Sequence, residues 1–174
     1  MTPSDLKSWR ANLGLTQEYL REALAYESDT GEFHWKRKPR NALAGKLAGG
    51  LTSSGQLAIQ IDGKTYMAHA LAWLYVHGTL PEMIDHINGD PLDNRVTNLR
   101  LCTPSQNQWN RGVSKNNTSG FKGVSWRARR SKWYAAIQVY GKTKYLGSFD
   151  TAEAAAEAYS AAARLLHGDW TRES

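Results

Sequence analysis

At 174 residues the chain has room for one ordinary domain or two small ones of roughly 60 residues, a size at which a single core is marginal. Hydrophobic residues make up 41% of it, mean hydropathy is −0.58 and no apolar run nears the roughly 20 residues of a membrane span, so membrane insertion is excluded. The formal net charge of +6 favours a polyanionic partner, and the single cysteine, Cys102, excludes an intramolecular disulfide and a thiolate zinc knuckle.

Met1 to Arg10 lack a charged stretch followed by an apolar core and a small-residue cleavage site, so no signal peptide is expected and the protein reads as intracellular. Leu6, Trp9 and Leu13, then Leu20 and Leu24, repeat at helical spacing up to Tyr26, on either side of Gly14. The reading is two short helices joined at Gly14, with Thr16-Gln17 opening the second. No third helix follows to complete a helix-turn-helix, so these residues read as a small helical cap.

From Tyr26 the pattern changes to short strands at Glu32 to Trp35, Leu57 to Ile61 and Thr65 to Met67, with Asp62-Gly63 as a two-residue hairpin turn. Arg40 to Ser54, rich in Gly, Ala and Ser, reads as a mobile loop. The basic residues just before it, Lys36, Arg37, Lys38 and Arg40, fit a solvated loop as well as a binding patch. A helix is predicted at Ala68 to His77, with Ala68, Leu71, Ala72 and Tyr75 on its apolar face and Gly78 and Pro81 ending it.

That helix leads into Asp85-His86-Ile87-Asn88-Gly89-Asp90, followed by Asp93-Asn94-Arg95, Asn98-Leu99-Arg100 and Gln106-Asn107. Acid, imidazole, turn, amide and second amide within about two dozen residues are enough for a single-metal phosphodiesterase site, which needs a few oxygen ligands and one base. A strand at Met83 to Ile87, a turn at Asn88-Gly89-Asp90, a second strand near Leu99 to Thr103 and a helix from about Pro104 would bring Asp85 and Asn107 together. An isolated Asp-His pair reads as a strand end whose imidazole caps a turn. The added Asn-Gly, Asn-Leu-Arg and Gln-Asn elements favour the site.

Arg111 to Ser119 are polar and form the natural linker. Three strands follow, at Gly123 to Arg127, Trp133 to Tyr140 and Lys144 to Phe149, with Gly141-Lys142 turning the second pair into an antiparallel meander. Asp150 with Glu153 makes a capping box for a last helix ended by Gly168, with Ala152, Ala155, Ala156, Tyr159, Ala163 and Leu166 facing inward. Trp133 and Phe149 are expected in the core. The arginines between Trp126 and Trp133 have no acidic neighbour in sequence and are expected to face phosphate.

The Asp-His-Ile-Asn-Gly-Asp, Asp-Asn-Arg, Asn-Leu-Arg and final Asn pattern resembles the HNH endonuclease family, specifically its phage homing-type branch. The resemblance implies a ββα-metal hairpin and helix, with His86 as general base, Asp85 and Asn107 as metal ligands, and Asn98 as the amide that fixes the hairpin loop. An asparagine rather than a histidine in the last place leaves an all-oxygen protein shell, which suits Mg²⁺ or Mn²⁺ better than zinc. Arg95 and Arg100 could hold neighbouring phosphates or pair with Asp90 or Asp93. His69 precedes Ala70 where relatives often carry a His-Arg pair, and it reads as structural. His34, His77 and His167 read as structural or surface residues.

Residues 118 to 170, with Gly123-Val124-Ser125-Trp126, Trp133-Tyr134-Ala135-Ala136-Ile137, Tyr145-Leu146-Gly147-Ser148-Phe149 and the alanine-rich helix, resemble the Apetala/ethylene-response-factor type of DNA-binding domain. That resemblance implies a sheet entering the major groove, with Lys122, Arg127, Arg129, Arg130, Lys132, Gln138, Lys142, Lys144 and Tyr145 as the contacts. Ser125 stands where plant members carry an arginine, so base preference does not transfer.

The expected fold is α+β: an N-terminal helical cap and small strands leading into a ββα-metal nuclease domain, then a three-stranded antiparallel sheet packed on one helix. The expected division is 1–111 for the nuclease domain with its extension (core motif 68–110), 112–119 for the linker and 120–170 for the DNA-binding domain. The expected function is metal-dependent endonucleolytic cleavage of double-stranded DNA by a monomer or weak dimer, without a small-molecule ligand, in the bacterial cytoplasm if the gene is phage-borne. The alternative is a non-catalytic DNA-binding or transcription-regulating protein; an RNA binder explains the charge but not the motif.

Overall fold

A computed structural model describes residues 14–36, 44–114 and 116–171. The first predicted helix, Arg37, Lys38 and Arg40 lie outside the described residues. Every sheet described is antiparallel, and the mixture of helices and sheets is the expected α+β class. The chain divides into two compact units: residues up to His86 with Asp90–Leu101, and Ile87–Gly89 with the residues from Cys102 onward.

In the first unit α1 (Gln17–Ala23) begins at Thr16, whose hydroxyl accepts the Tyr19 N–H at 3.2 Å. The helix stops at Ala23 rather than running to Tyr26. Leu24 turns extended (φ −128°, ψ 149°) and opens β1 (Leu24–Tyr26), which pairs with β2 (Phe33–Trp35). Leu20 and Leu24 are both fully buried, so the helical spacing is met by a helix end and a strand start packed into one core.

The predicted loop Arg40 to Ser54 is also corrected where it is described: β3 (Gly50–Leu51) pairs with β4 (Leu57–Ile61), Leu47 bridges His34, and Ala48 is fully buried. Ala48 and Gly49 serve close packing. A Cβ on Gly49 would lie 2.9 Å from the Ala58 carbonyl oxygen. Asp62 (φ 48°) and Gly63 (φ 82°) make the two-residue turn from β4 to β5 (Lys64–Met67), both left-handed as a type I′ hairpin requires.

The helix α2 (Ala68–His77) matches its predicted span, and the left-handed Gly78 (φ 77°) closes it by donating to Leu74 O. It buries Ala68, Leu71, Ala72 and Leu74 in the core with Phe33 and Ile59. β6 (Ile84–His86) pairs with β7 (Leu99–Leu101), setting Asp85 opposite Arg100 and His86 opposite Leu99.

In the second unit α3 (Pro104–Asn110) starts with Pro104 and a capping box between Thr103 and Gln106. β8 (Val124–Arg127), β9 (Lys132–Val139) and β10 (Lys142–Phe149) form the expected meander, and α4 (Ala152–His167) packs on it. The β9–β10 turn is Tyr140-Gly141 (φ 47° and 77°), one residue earlier than Gly141-Lys142.

Thr151, not Asp150, caps α4: its hydroxyl accepts the Ala154 N–H at 3.1 Å, while the Asp150 carboxylate is bound to Lys132. Leu166, expected inside, is exposed, and the last inward position belongs to His167.

By packing, α3 belongs to the second unit. Trp109 stacks on His167 at 4.3 Å with rings 7° from parallel, and the Lys122 ammonium donates to the Trp109 and Arg111 carbonyls at 2.5 and 2.6 Å. From Asn117 the polar stretch is folded too. Asn117 Oδ1 accepts the Ser119 and Gly120 N–H groups, and its Nδ2 donates to Phe121 O. Among the described residues no helix is long and apolar enough to cross a membrane.

Candidate active site and nucleic-acid surface

Asp85 and His86 end β6 with relative exposures of 6% and 8%, so both polar side chains need partners within the protein. The cross-strand register supplies the first. Arg100 aims Nε (2.9 Å) and Nη2 (2.8 Å) at Asp85 Oδ2, an ion pair between side chains that are themselves mostly buried. Arg100 is thus held on Asp85, across the strand pair. Arg95 does pair with Asp93, with Nε to Oδ1 at 2.7 Å and Nη2 to Oδ2 at 2.6 Å, on the surface. The charge and hydrogen bonds of Asp93 push the Arg95 pKa up.

Asn94 supplies the partner of His86. Its Oδ1 lies 3.3 Å from His86 Nε2, and its Nδ2 donates to Leu92 O at 3.1 Å. An amide oxygen only accepts, so Nε2 carries the proton in this pair and the neutral ring holds its lone pair on Nδ1. Asn98 donates Nδ2 to Asp93 O at 2.9 Å and its backbone N–H to Arg95 O at 2.8 Å, closing the loop between β6 and β7. Asp90 makes the other tight turn of that loop by accepting the Leu92 N–H at 2.9 Å.

His69, on α2, meets the His86 ring edge-on with centroids 5.2 Å apart. Burial first and the nearby His86 second lower its pKa to about 4. The first unit thus brings together Asp85, His86, Asn98 and Arg100, and adds Asn94 and His69. Asn94 was visible in the Asp93-Asn94-Arg95 motif without a role. No local pattern links position 69 to position 86, so the contact between them is a product of the fold. Asn107 is half-buried on α3 in the second unit, one turn before Asn110, whose Nδ2 is 3.5 Å from Ile87 O.

Among the described residues no group of three or more His, Cys, Asp and Glu side chains gathers as a metal cluster. A donor set of one carboxylate and one amide does not depend on such a cluster. It suits a hard divalent cation that keeps much of its water or takes oxygens from a phosphate.

On the sheet, residues directly opposite across the ladder share a face. Ser125, Arg127, Tyr134, Gln138 and Tyr145 share the face turned away from Val124, Ala135 and Ile137. The Arg127 guanidinium lies 5.8 Å from the Tyr134 ring centroid, and Tyr134 and Tyr145 are 5.2 Å apart. Arg129 and Arg130 are exposed on the one-turn helix Ala128–Arg130.

The other candidates are placed differently. Lys142 and Lys144 pair with Val139 and Ile137 and so belong to the opposite face, exposed at the edge strand. Lys122 holds the α3 carbonyls, and Lys132 is bound to Asp150, an acidic partner distant in sequence. Trp133 and Phe149 are half-buried against the core, as expected.

The HNH endonuclease family matches residues 66–109. Protein 3.8 of Escherichia phage T7 is 40% identical over 106 residues, 60% of this chain and 87% of that protein. An uncharacterized HNH endonuclease of Acanthamoeba polyphaga mimivirus is 32% identical over 110 residues, 62% of this chain and 56% of its own length. In the C-terminal region, APETALA2-like protein 2 of Oryza sativa is 43% identical over 54 residues, 31% of this chain but 12% of that protein. No solved structure matches.

Proposed function

The chain belongs to the HNH endonuclease family and is a nuclease, and from that premise we propose that it cuts double-stranded DNA with a divalent cation, Mg²⁺ or Mn²⁺, held by Asp85 and Asn107. The observation that carries the reading is the buried His86, held through Nε2 beside Asp85 on one strand. The cation, when bound, stabilises charge on the scissile phosphate and on the leaving oxygen.

His86 Nδ1 takes a proton from a water molecule, whose oxygen attacks phosphorus. The bond from phosphorus to the 3′ oxygen breaks, and that oxygen takes a proton from solvent. Base catalysis of this kind contributes roughly 10²- to 10⁴-fold. Asn98 holds the loop that frames the base, and Arg100 holds Asp85 in place.

We assign residues 1–111 to cleavage, 112–119 to the connection and 120–170 to DNA binding. The open face of the sheet takes the duplex through Arg127, Gln138 and Tyr145, with Arg129 and Arg130 reaching phosphates beside it. The protein works as a monomer or weak dimer, in the bacterial cytoplasm when phage-borne.

The test is duplex DNA incubated with full-length protein and Mg²⁺, then with excess chelator, then with His86→Ala. Cutting by the wild type alone, abolished by chelator, is the expected result. Cutting by both proteins or by neither overturns the mechanism.

A further inference from the structure

The hairpin β1–β2 lies outside the segment 66–109 that the nuclease family matches, yet its turn end grips the loop carrying Asn94 at two points. At the first the Tyr26 hydroxyl accepts the Val96 N–H at 2.9 Å and donates to Asn94 O at 2.9 Å. The hydroxyl thereby spends its one proton and a lone pair on two backbone groups of the same loop. The ring cannot follow the loop if it moves, because it is packed against Phe33 (centroids 4.9 Å) and Tyr75 (5.6 Å).

At the second Gly31 (φ 77°), in the turn that joins the two strands, lets the backbones touch. A Cβ there would lie 2.5 Å from Arg95 N and 2.6 Å from Asn94 C, with no flexible side chain to give way. Asn94 is therefore held by its own backbone at two points, and the residue is 1% exposed. Its amide can point only one way. Flipping it would set Oδ1 against Leu92 O, two acceptors face to face, so Nδ2 stays on Leu92 O and Oδ1 faces His86 Nε2.

We propose that the β1–β2 hairpin is a positioning element for catalysis: Tyr26 and Gly31 hold Asn94, and Asn94 fixes His86 with Nε2 protonated so that Nδ1 is the basic nitrogen. Tyr26, Gly31 and Asn94 touch no substrate and act through His86. The inference rests on His86 being the base, and its readouts separate the two claims.

The test uses full-length protein with ¹⁵N-labelled histidine, comparing wild type, Asn94→Ala and Tyr26→Phe. Long-range proton–nitrogen spectra without metal report which ring nitrogen of His86 carries the proton. Thermal melting reports folding, and duplex cleavage with Mg²⁺ gives kcat and KM.

Wild-type His86 is expected to be protonated on Nε2, Asn94→Ala to populate both tautomers, and Tyr26→Phe to lower kcat roughly tenfold at unchanged KM. Should Tyr26→Phe melt early, the His86 tautomer of Asn94→Ala, read below its melting temperature, decides instead. An Nδ1-protonated wild type, an Asn94→Ala protein with the wild-type tautomer, or a folded clamp variant with wild-type kcat overturns the proposal. A His86→Ala protein that still cuts would instead overturn the base assignment itself.

Discussion

The two units put their polar chemistry in opposite settings. In the first, Asp85, His86, Asn94 and Asn98 are all buried and each has a partner that sets its direction, in a unit whose core includes Leu20, Phe33, Ile59 and Leu71. In the second, Arg127, Arg129, Arg130, Gln138 and Tyr145 are exposed, and the buried apolar residues are mostly small, Ala135, Ala155 and Ala163 beside Val124 and Ile137. Proton transfer requires one geometry, which burial enforces. Contact with a phosphate backbone requires reach, which exposure leaves intact.

The sharpest way to break this contrast is to remove one charge from each unit. Arg100→Ala leaves the Asp85 carboxylate buried without its arginine and is expected to cost about 3–5 kcal/mol, whereas Arg127→Ala, on the open face, should stay within about 0.5 kcal/mol. Urea unfolding checks both. Mg²⁺ should raise the melting temperature of Arg100→Ala more than that of the wild type, since a cation on Asp85 replaces the lost charge. Equal losses in the two variants would erase the distinction.

The cores are expected to fail in opposite directions. The first has large side chains to lose; in the second, α4 approaches the sheet through alanines. Ala155→Leu should therefore cost about 1–3 kcal/mol by overpacking at a fully buried site, again read by urea unfolding. A neutral result would mean that the helix can lift from the sheet without loss.

A finer contrast lies within the second unit. Arg127→Ala is expected to weaken duplex binding and lower its salt slope by about 1, while Lys144→Ala, on the opposite face, leaves the slope near the wild-type value. Fluorescence anisotropy at several salt concentrations measures both. A larger slope change for Lys144→Ala would assign the DNA to the other side of the sheet.

How much of this was legible in the sequence follows the range of the interactions. Gly78, the Asp62-Gly63 turn, the meander and the Thr103–Gln106 start of α3 carry local signals, and those elements stand within a residue or two of where they are read. Leu24–Tyr26 and Gly50–Leu51 were missed because their strand character comes from partners distant in sequence, not from their own pattern. The Asp85, His86 and Asn98 neighbourhood was legible from residue type and spacing. The groups that orient it were not, since Tyr26, Gly31 and His69 reach it only through the fold. Asp150 misled for the same reason: its sequence signature fits a cap, but a lysine on β9 claims the carboxylate and leaves Thr151 to cap.

The smallest expected effect tests whether the neighbourhood of His86 is as buried as the contrast requires. His69 has its pKa lowered from 6.5 to about 4, mainly by burial and then by the charge of His86. As pH falls below 6.5 the unfolded chain takes up a proton that the folded chain refuses until about pH 4, so stability present above pH 6.5 is lost across that interval. The full shift is discounted because the ring is partly exposed, leaving a loss of about 1 kcal/mol or slightly more. Melting temperatures between pH 7.5 and 4 should fall for the wild type, and His69→Gln, which cannot titrate there, should flatten that part of the profile. Parallel profiles for the two proteins would mean that solvent reaches the ring, and that the first unit shelters its chemistry less than its buried carboxylate and amides imply.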